Sequence, residues 1–279
     1  MIHIEKLQKS YGKVRAVDSI DLSVGGGELF AFLGPNGAGK TTTIRILTGL
    51  TRIGSGRVCI GGHDIVNPPR EAKRQCGLVP QHINLDSELS VRENLEIHGR
   101  LFGMEASRRR LKIEELLSYV ELLDRIDSLV KQLSGGLKRR LMIARALMHE
   151  PKVLFLDEPT VGLDPAIRRR IWALIKRVQQ DGTTIFLTTH YIEEAEFLAG
   201  RVAFLDQGKI VALDSPQSLM ARLGDWAVDR MNGEGMQTHY FTTREEAAGF
   251  TASQECGVTL RRINLEDAFL SLTGKKVLS

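Results

Sequence analysis

The chain has 279 residues, 42% of them hydrophobic and 26% charged, which is enough apolar material for a sizeable core in one large domain or two and excludes wholesale disorder. Its 38 basic and 34 acidic side chains leave a net charge of +4, permitting an anionic ligand, a membrane surface or nucleic acid without selecting among them. No charge-free apolar run approaches the ~20 residues of a membrane helix. The opening Met1-Ile2-His3-Ile4-Glu5-Lys6 has no secretory-signal pattern, so cytosolic residence is expected. Cys59, Cys76 and Cys256 are widely spaced and form no C-x-x-C pair, and they read as reduced packing residues.

Residues 1 to 33 alternate in short strand-like pieces, with Ile2 and Ile4 in phase and then Leu22 and Val24. Leu29-Phe30-Ala31-Phe32-Leu33 is apolar at consecutive positions, as a strand covered on both faces must be. A glycine-rich stretch follows, then a helix over Thr41 to Leu50 with Ile44, Leu47 and Leu50 on its apolar face. From Pro80 to Leu133 the sequence turns charged and helix-favouring, with Leu111, Leu116, Leu117, Val120 and Leu123 as apolar positions. It reads as a helical insertion, at about 83–150. The buried-strand signature returns in Val153 to Leu156 and Thr184 to Leu187. Between them Asp164-Pro165 starts a helix with Ile167, Ile171, Leu174, Ile175 and Val178 on one face, ending before Gly182. Residues 202–211 read as a hairpin at the sheet edge. Beyond about Ser215 lies mixed sequence with a glycine-rich turn at Asn232 to Gly235 and an amphipathic segment, Leu265 to Leu272. The expected fold is therefore α/β, with a mostly parallel sheet core, an N-terminal antiparallel β subdomain, an inserted helical subdomain and a small C-terminal α+β extension. The expected domains are 1–215 and 216–279.

Gly34-Pro35-Asn36-Gly37-Ala38-Gly39-Lys40-Thr41 fits G-x-x-x-x-G-K-[ST]. Its glycines let backbone N–H groups turn inward around an anion, and the helix that follows presents its positive end. In that motif Lys40 reaches the β and γ phosphates and the Thr41 hydroxyl ligates Mg²⁺. Four apolar residues then deliver Asp157 and Glu158 to a strand end, where ligands gather in open α/β sheets. Asp157 can hold a metal ion through water, and Glu158 can polarise the water that attacks a γ-phosphate. These residues point to a P-loop NTPase using Mg²⁺.

Leu133-Ser134-Gly135-Gly136, ahead of the helix-forming Leu137 to His149, resembles the signature motif of the ATP-binding-cassette (ABC) ATPases. Two glycines and a capping serine at an exposed helix start make a second anion site. In that family the signature of one subunit covers the ATP held by the phosphate loop of another, so the resemblance implies a head-to-tail homodimer or pseudo-dimer. It further implies that Tyr11 stacks on adenine, that Thr42 joins the phosphate loop, that Gln81 senses the metal and attacking water, that Gly162-Leu163-Asp164 crosses the dimer interface and that His190 contacts the γ-phosphate. Leu137 departs from the family pattern, which commonly has glutamine there.

The runs Arg108-Arg109-Arg110, Lys138-Arg139-Arg140 and Arg168-Arg169-Arg170 are expected to lie on solvated helix faces, because acids sit nearby and no aromatics interleave for base stacking. No specific nucleic-acid partner is expected. The resemblance implies the ATPase subunit of an ABC transporter, peripheral on the cytoplasmic face of the cell membrane and docked on a separate integral membrane permease. The motifs at 133–164, Thr188 to Glu196 and Leu265 to Leu270 are similar to those of ABC-2 type exporters of drugs, polysaccharides and lipids. The alternative is a soluble ABC ATPase of translation or DNA metabolism; those commonly carry two cassettes in one chain, or long insertions between motifs. A nucleotide-gated regulator with little turnover conflicts with an intact Glu158.

Overall fold

In the computed structural model, which describes residues 1–232, 235–254 and 257–274, the chain runs in order through β1 (Ile2–Tyr11), β2 (Val14–Val24), β3 (Leu29–Leu33), α1 (Lys40–Leu47), β4 (Ser55–Ile60), β5 (His63–Asp64), α2 (Pro69–Arg74) and β6 (Cys76–Val79). Then come the insertion helices α3 (Val91–Leu101) and α4 (Ala106–Tyr119), followed by α5 (Gly135–Leu147), β7 (Val153–Asp157), α6 (Pro165–Gln180), β8 (Thr184–Thr189), α7 (Ile192–Leu198), β9 (Arg201–Asp206) and β10 (Lys209–Asp214). The C-terminal part is α8 (Pro216–Ala221), β11 (Trp226–Asn232), β12 (Gly235–Phe241), α9 (Arg244–Ala252), β13 (Val258–Arg262) and α10 (Leu265–Thr273).

The central sheet has the order β10-β9-β3-β8-β7-β6, parallel except for β10, which returns antiparallel along β9 as an edge hairpin. Its consecutive apolar runs have a direct cause. Successive side chains of a strand point to opposite faces, and here both faces are covered. Leu29, Ala31 and Leu33 of β3, with Leu154, Leu156, Ile185 and Leu187, pack toward the helices of the insertion and α5 and α6. Phe30, Phe32, Phe155 and Phe186 face the other way, into a core shared with α1 and the antiparallel sheet β2-β1-β4-β5. Phe32 and Phe186 meet edge to face at 5.0 Å, an aromatic contact worth roughly 1 kcal/mol beyond its area.

The third sheet, β12-β11-β13, is antiparallel and carries α9. α10 then brings the chain back to the main body: Leu265, Ala268 and Phe269 join the core on the insertion side of the central sheet, and Phe269 meets Phe204 of β9 at 5.2 Å. Leu265 N–H also donates to Glu196 Oε2 at 3.0 Å.

Some expectations require correction. Leu50 is 62% exposed, because α1 ends at Leu47 and the chain turns at Gly49. In the insertion Leu111 and Leu123 are also exposed; Ile113, Leu116, Leu117 and Val120 form the buried stripe. The arginine runs are not uniformly solvated. Arg109, Arg139 and Arg140 are buried, each satisfied by carbonyls or a carboxylate: Arg109 by Glu96 and Met104, Arg140 by Glu121 and Val120, Arg139 by Pro80 and Gln81. The glycine turn at 233–234 and Cys256 lie outside the described residues; Cys59 and Cys76 are free thiols.

Candidate nucleotide site

Four parallel strands end on one side of the sheet, and each delivers a part of the site. The phosphate loop, residues 34–41, leaves β3; Asp157 closes β7; Gln81 lies two residues past β6; His190 directly follows β8. Asn36 and Gly37 form the exposed crest of the loop, Pro35 and Thr42 are half-buried, and Gly34, Ala38, Gly39 and Lys40 are buried. The loop is braced from behind by protein. Ala38 C=O accepts from Gly208 N–H at 3.0 Å, and a Cβ on Gly39, which adopts φ 107°, would run into the Ala16 carbonyl of β2. Gly39 is thus demanded by the approach of a neighbouring strand as well as by the turn.

Lys40 reaches back across the loop. Its ammonium donates to the carbonyls of Gly34 at 2.7 Å and Pro35 at 3.1 Å, and pairs with Glu158 Oε1 at 3.3 Å. Burial lowers its pKa, while the charges of Glu158 and Asp157 oppose that shift. Asp157 Oδ1 accepts from Thr188 Oγ1 at 2.6 Å and Thr41 Oγ1 at 3.2 Å. Burial raises its pKa, with those two hydroxyls holding it down.

Glu158 takes a left-handed backbone conformation, φ 48°, stabilised by Glu158 N–H donating to Thr188 C=O at 2.9 Å. The turn aims its carboxylate into the site rather than along the strand. Gln81 Nε2 donates to Glu158 Oε2 at 3.0 Å, and His190 Nδ1 lies 3.2 Å from the same oxygen. Lys40, Gln81 and His190, from three separate segments, therefore meet on one carboxylate.

Sequence reasoning passed over two residues that hold this arrangement. Arg139 of α5 donates to Pro80 C=O at 2.8 Å and Gln81 C=O at 2.9 Å, fixing the backbone that carries Gln81. Thr188 bonds Asp157 and the Glu158 backbone together. The visible signal for Thr188 is a pair of threonines closing an apolar strand; Arg139 was concealed in a basic run.

The remaining expected residues lie at the surface. Tyr11, at the end of β1, is 51% exposed, with Lys9 Nζ 5.3 Å from its ring centre. Ser134 caps α5, its Oγ accepting from Leu137 N–H at 3.4 Å. Ser134 and Gly135 are exposed, but Gly136 is buried, which corrects the picture of a fully exposed helix start: a Cβ there would sit 2.5 Å from Ile167 Cγ2 of α6. Close packing of two helices is reason enough for that glycine. Gly162 is exposed at φ 74°, Leu163 approaches Gly135, and Asp164 caps α6 by accepting from Ile167 N–H at 2.9 Å. Leu137 is half-buried and packs against the core.

A parallel sheet gathering a phosphate loop, consecutive acids and a histidine at its strand ends defines a P-loop NTPase. Comparison with known proteins narrows the class. The family model described as ABC transporter matches residues 17–161. The chain is 38% identical to Nod factor export ATP-binding protein I of Paraburkholderia xenovorans (strain LB400), over 99% of this chain and 98% of that one. It is 39% identical to daunorubicin resistance ATP-binding protein DrrA2 of Streptomyces coeruleorubidus, over 99% and 95% respectively. Among solved structures, the ATP binding subunit of an ABC transporter superposes with a TM-score of 0.71 at 27% identity, covering 80% of this chain and 92% of that one. A dimeric ATP-binding cassette in a post-hydrolysis state bound to ADP and Pi gives 0.69 at 30% identity, covering 77% and 98%. The chain belongs to the ABC transporter family and is an ATP-binding, ATP-hydrolysing subunit of that family. Among the described residues no helix is long and apolar enough to cross a membrane.

Proposed function

We propose that this chain is the motor subunit of an exporter, acting on a separate integral membrane permease of the ABC-2 type from the cytoplasmic face of the membrane. The observation that carries the reading is the convergence of Lys40, Gln81 and His190 on Glu158 beside a phosphate loop. Full-length likeness to export and resistance ATP-binding proteins favours export over the soluble alternative in translation or DNA metabolism. The permease binds the cargo, and this chain supplies the work.

In this reading residues 34–42 wrap the phosphates with backbone N–H groups, Lys40 exchanges its loop carbonyls for phosphate oxygens, and Tyr11 receives the adenine. Thr41, Asp157 and Gln81 form an all-oxygen set suited to Mg²⁺, which prefers one or two protein oxygens together with substrate phosphates and water. Bound there, the ion would neutralise charge on the phosphates. Glu158, turned inward on its left-handed backbone, accepts the proton of the attacking water, and Gln81 and His190 keep that carboxylate and the γ-phosphate in register. Ser134 caps α5 and Gly135 and Gly136 begin it, a helix start whose first N–H groups have no partner within the helix, and these residues serve the nucleotide of a second subunit, with Gly162, Leu163 and Asp164 crossing between the two. The division into a nucleotide-binding domain, 1–215, with its insertion at about 83–150, and an accessory region, 216–279, follows the same reading.

The test is the Glu158→Gln variant. With saturating Mg-ATP it should elute as a stable dimer with turnover reduced roughly 100-fold or more, since one positioned base contributes roughly 10²–10⁴ in rate. A variant that stays monomeric would overturn head-to-tail closure on ATP. Coexpression with a candidate permease, read as export dependent on Glu158, tests the transport step.

A further inference from the structure

Behind the site lies a second carboxylate that the scheme above does not use. Glu194 of α7 is 0% exposed, and its hydrogen bonds go to Thr160 and Trp172 rather than to the residues that line the nucleotide site. Its Oε1 accepts from Thr160 Oγ1 at 2.7 Å and from Trp172 Nε1 at 2.9 Å, both donors also buried. Its Oε2 is buried without an aligned hydrogen-bond partner. Burial raises its pKa, while Thr189, Thr160, Trp172 and the charge of Arg168 lower it. A buried acid is costly unless hydrogen bonds or nearby charge compensate it, and here the compensation comes from Thr160 and Trp172.

What it holds can be traced along the chain. Thr160 lies in the turn that begins at Glu158 and ends at Asp164; Val161 N–H donates to Glu158 C=O at 3.3 Å and Leu163 N–H to Thr160 C=O at 3.2 Å. Trp172 belongs to α6, the helix that Asp164 caps. Thr189 closes β8 immediately before His190, and its Oγ1 accepts from Tyr191 N–H at 2.9 Å. Tyr191 lies tilted against His190, with ring centroids 4.3 Å apart, and carries the Arg168 guanidinium 4.2 Å over its ring. The segments that present Glu158, the 162–164 loop and His190 thus converge around one acidic side chain.

We infer that Glu194 is a positioning residue that locks the Glu158-to-Asp164 turn and α6 to the His190 segment, so that the base and histidine of one site move as a unit with the loop assigned to the dimer interface. This rests on the nucleotide-site reading, and it deepens it: a shift of the 162–164 loop on dimer closure is transmitted to Glu158 through Thr160. The Glu194 carboxylate meets no reacting atom, so its removal should lower kcat with little change in the KM for ATP.

The experiment compares Glu194→Ala, Glu194→Gln, Thr160→Val and Trp172→Phe in the full chain, with Lys40→Ala as the control that tests the nucleotide site independently. Thr160→Val keeps side-chain shape while deleting one donor, which guards against simple misfolding of the alanine variant. The expected result is a kcat loss of about 10-fold or more in Thr160→Val and Glu194→Ala, an ATP KM within about twofold, and recovery of most of the rate in Glu194→Gln, whose amide oxygen can still accept from Thr160 and Trp172. Combining Thr160→Val with Glu194→Ala should cost no more than Glu194→Ala alone. Unchanged kcat in Thr160→Val, or kcat losses that add in the double variant, would overturn the inference even though Lys40→Ala remains inactive.

Discussion

Lys40 Nζ and Glu158 Oε1 lie 3.3 Å apart with both side chains almost wholly buried, so the cation of the phosphate loop and the acid beyond β7 are already paired across the site. In a buried pair of this kind, removing Lys40 leaves Glu158 buried without its ammonium partner, with Gln81 and His190 still against it. On the proposed reading, phosphate oxygens entering the loop would compete for Lys40 and leave Glu158 to Gln81 and His190, tying nucleotide binding to the surroundings of the proposed base.

Lys40→Ala should therefore lower ATP turnover roughly 100-fold or more, the scale of losing one preorganised donor to developing charge. Binding of a fluorescent ATP analogue, measured beside steady-state hydrolysis, checks it. Retained turnover would remove the phosphate-loop assignment.

Ser134 separates a shared site from a self-contained one. In a head-to-tail dimer, Ser134→Arg mixed with Lys40→Ala leaves one complete site per heterodimer, whereas a chain carrying both changes mixed with the parent leaves none. Turnover of the two isolated heterodimers should follow that order. The reverse order would mean that each chain uses its own Ser134.

Arg139 is expected to matter through Gln81. Arg139→Ala removes two hydrogen bonds from a cation to carbonyls, each worth roughly 1.5–3 kcal/mol, so it should lower the melting temperature and turnover together. Arg139→Lys keeps the charge but loses the planar fork, and should melt closer to the parent while hydrolysing about 10-fold more slowly. Arg169→Ala, on the exposed part of α6, should change stability by no more than about 0.5 kcal/mol.

Asp157 yields a prediction in pH. Its folded pKa is raised by burial, so between its ordinary value of 3.8 and the raised one the native state binds more protons than the unfolded chain, and stability falls as pH increases through that window. Above the window the cost is fully present. Asp157→Asn should therefore melt higher than the parent near pH 7, with the difference shrinking as pH falls toward the ordinary aspartate range, while its Mg-dependent turnover drops. Thermal melts of the nucleotide-free proteins across that range provide the check, and an equal offset at every pH would contradict the burial argument.

Much of the fold was legible because the central strands announce themselves. Leu29 to Leu33 and Val153 to Leu156 are short runs apolar at every position, the pattern of a strand covered on both faces rather than one with a face to solvent. The phosphate loop was legible for a related reason: its backbone conformation is set by local residue types. Leu50 falls beyond the end of α1, and Leu111 and Leu123 lie exposed, because helical spacing gives a period without saying where the helix ends or which flank meets the core. Arg109, Arg139 and Arg140 were misjudged because a charged residue can be buried when carbonyls or a carboxylate receive it, and such partners, Glu96, Pro80, Gln81 and Glu121 among them, lie 13 to 59 residues away.

The amino-acid sequence by itself determined the class of chemistry, since the spacing of Gly34 to Thr41 and the Asp157-Glu158 pair are local patterns with local physical causes. Tertiary structure decided how those parts act together. It set Lys40, Gln81 and His190 around Glu158, braced the loop at Gly39 with Ala16, turned Gly136 into a helix contact and collected Thr160 and Trp172 on Glu194. Each of these is a meeting of segments far apart in the chain, fixed by which strands pair and which helix faces are buried. Residue spacing along the chain carries no direct record of such meetings.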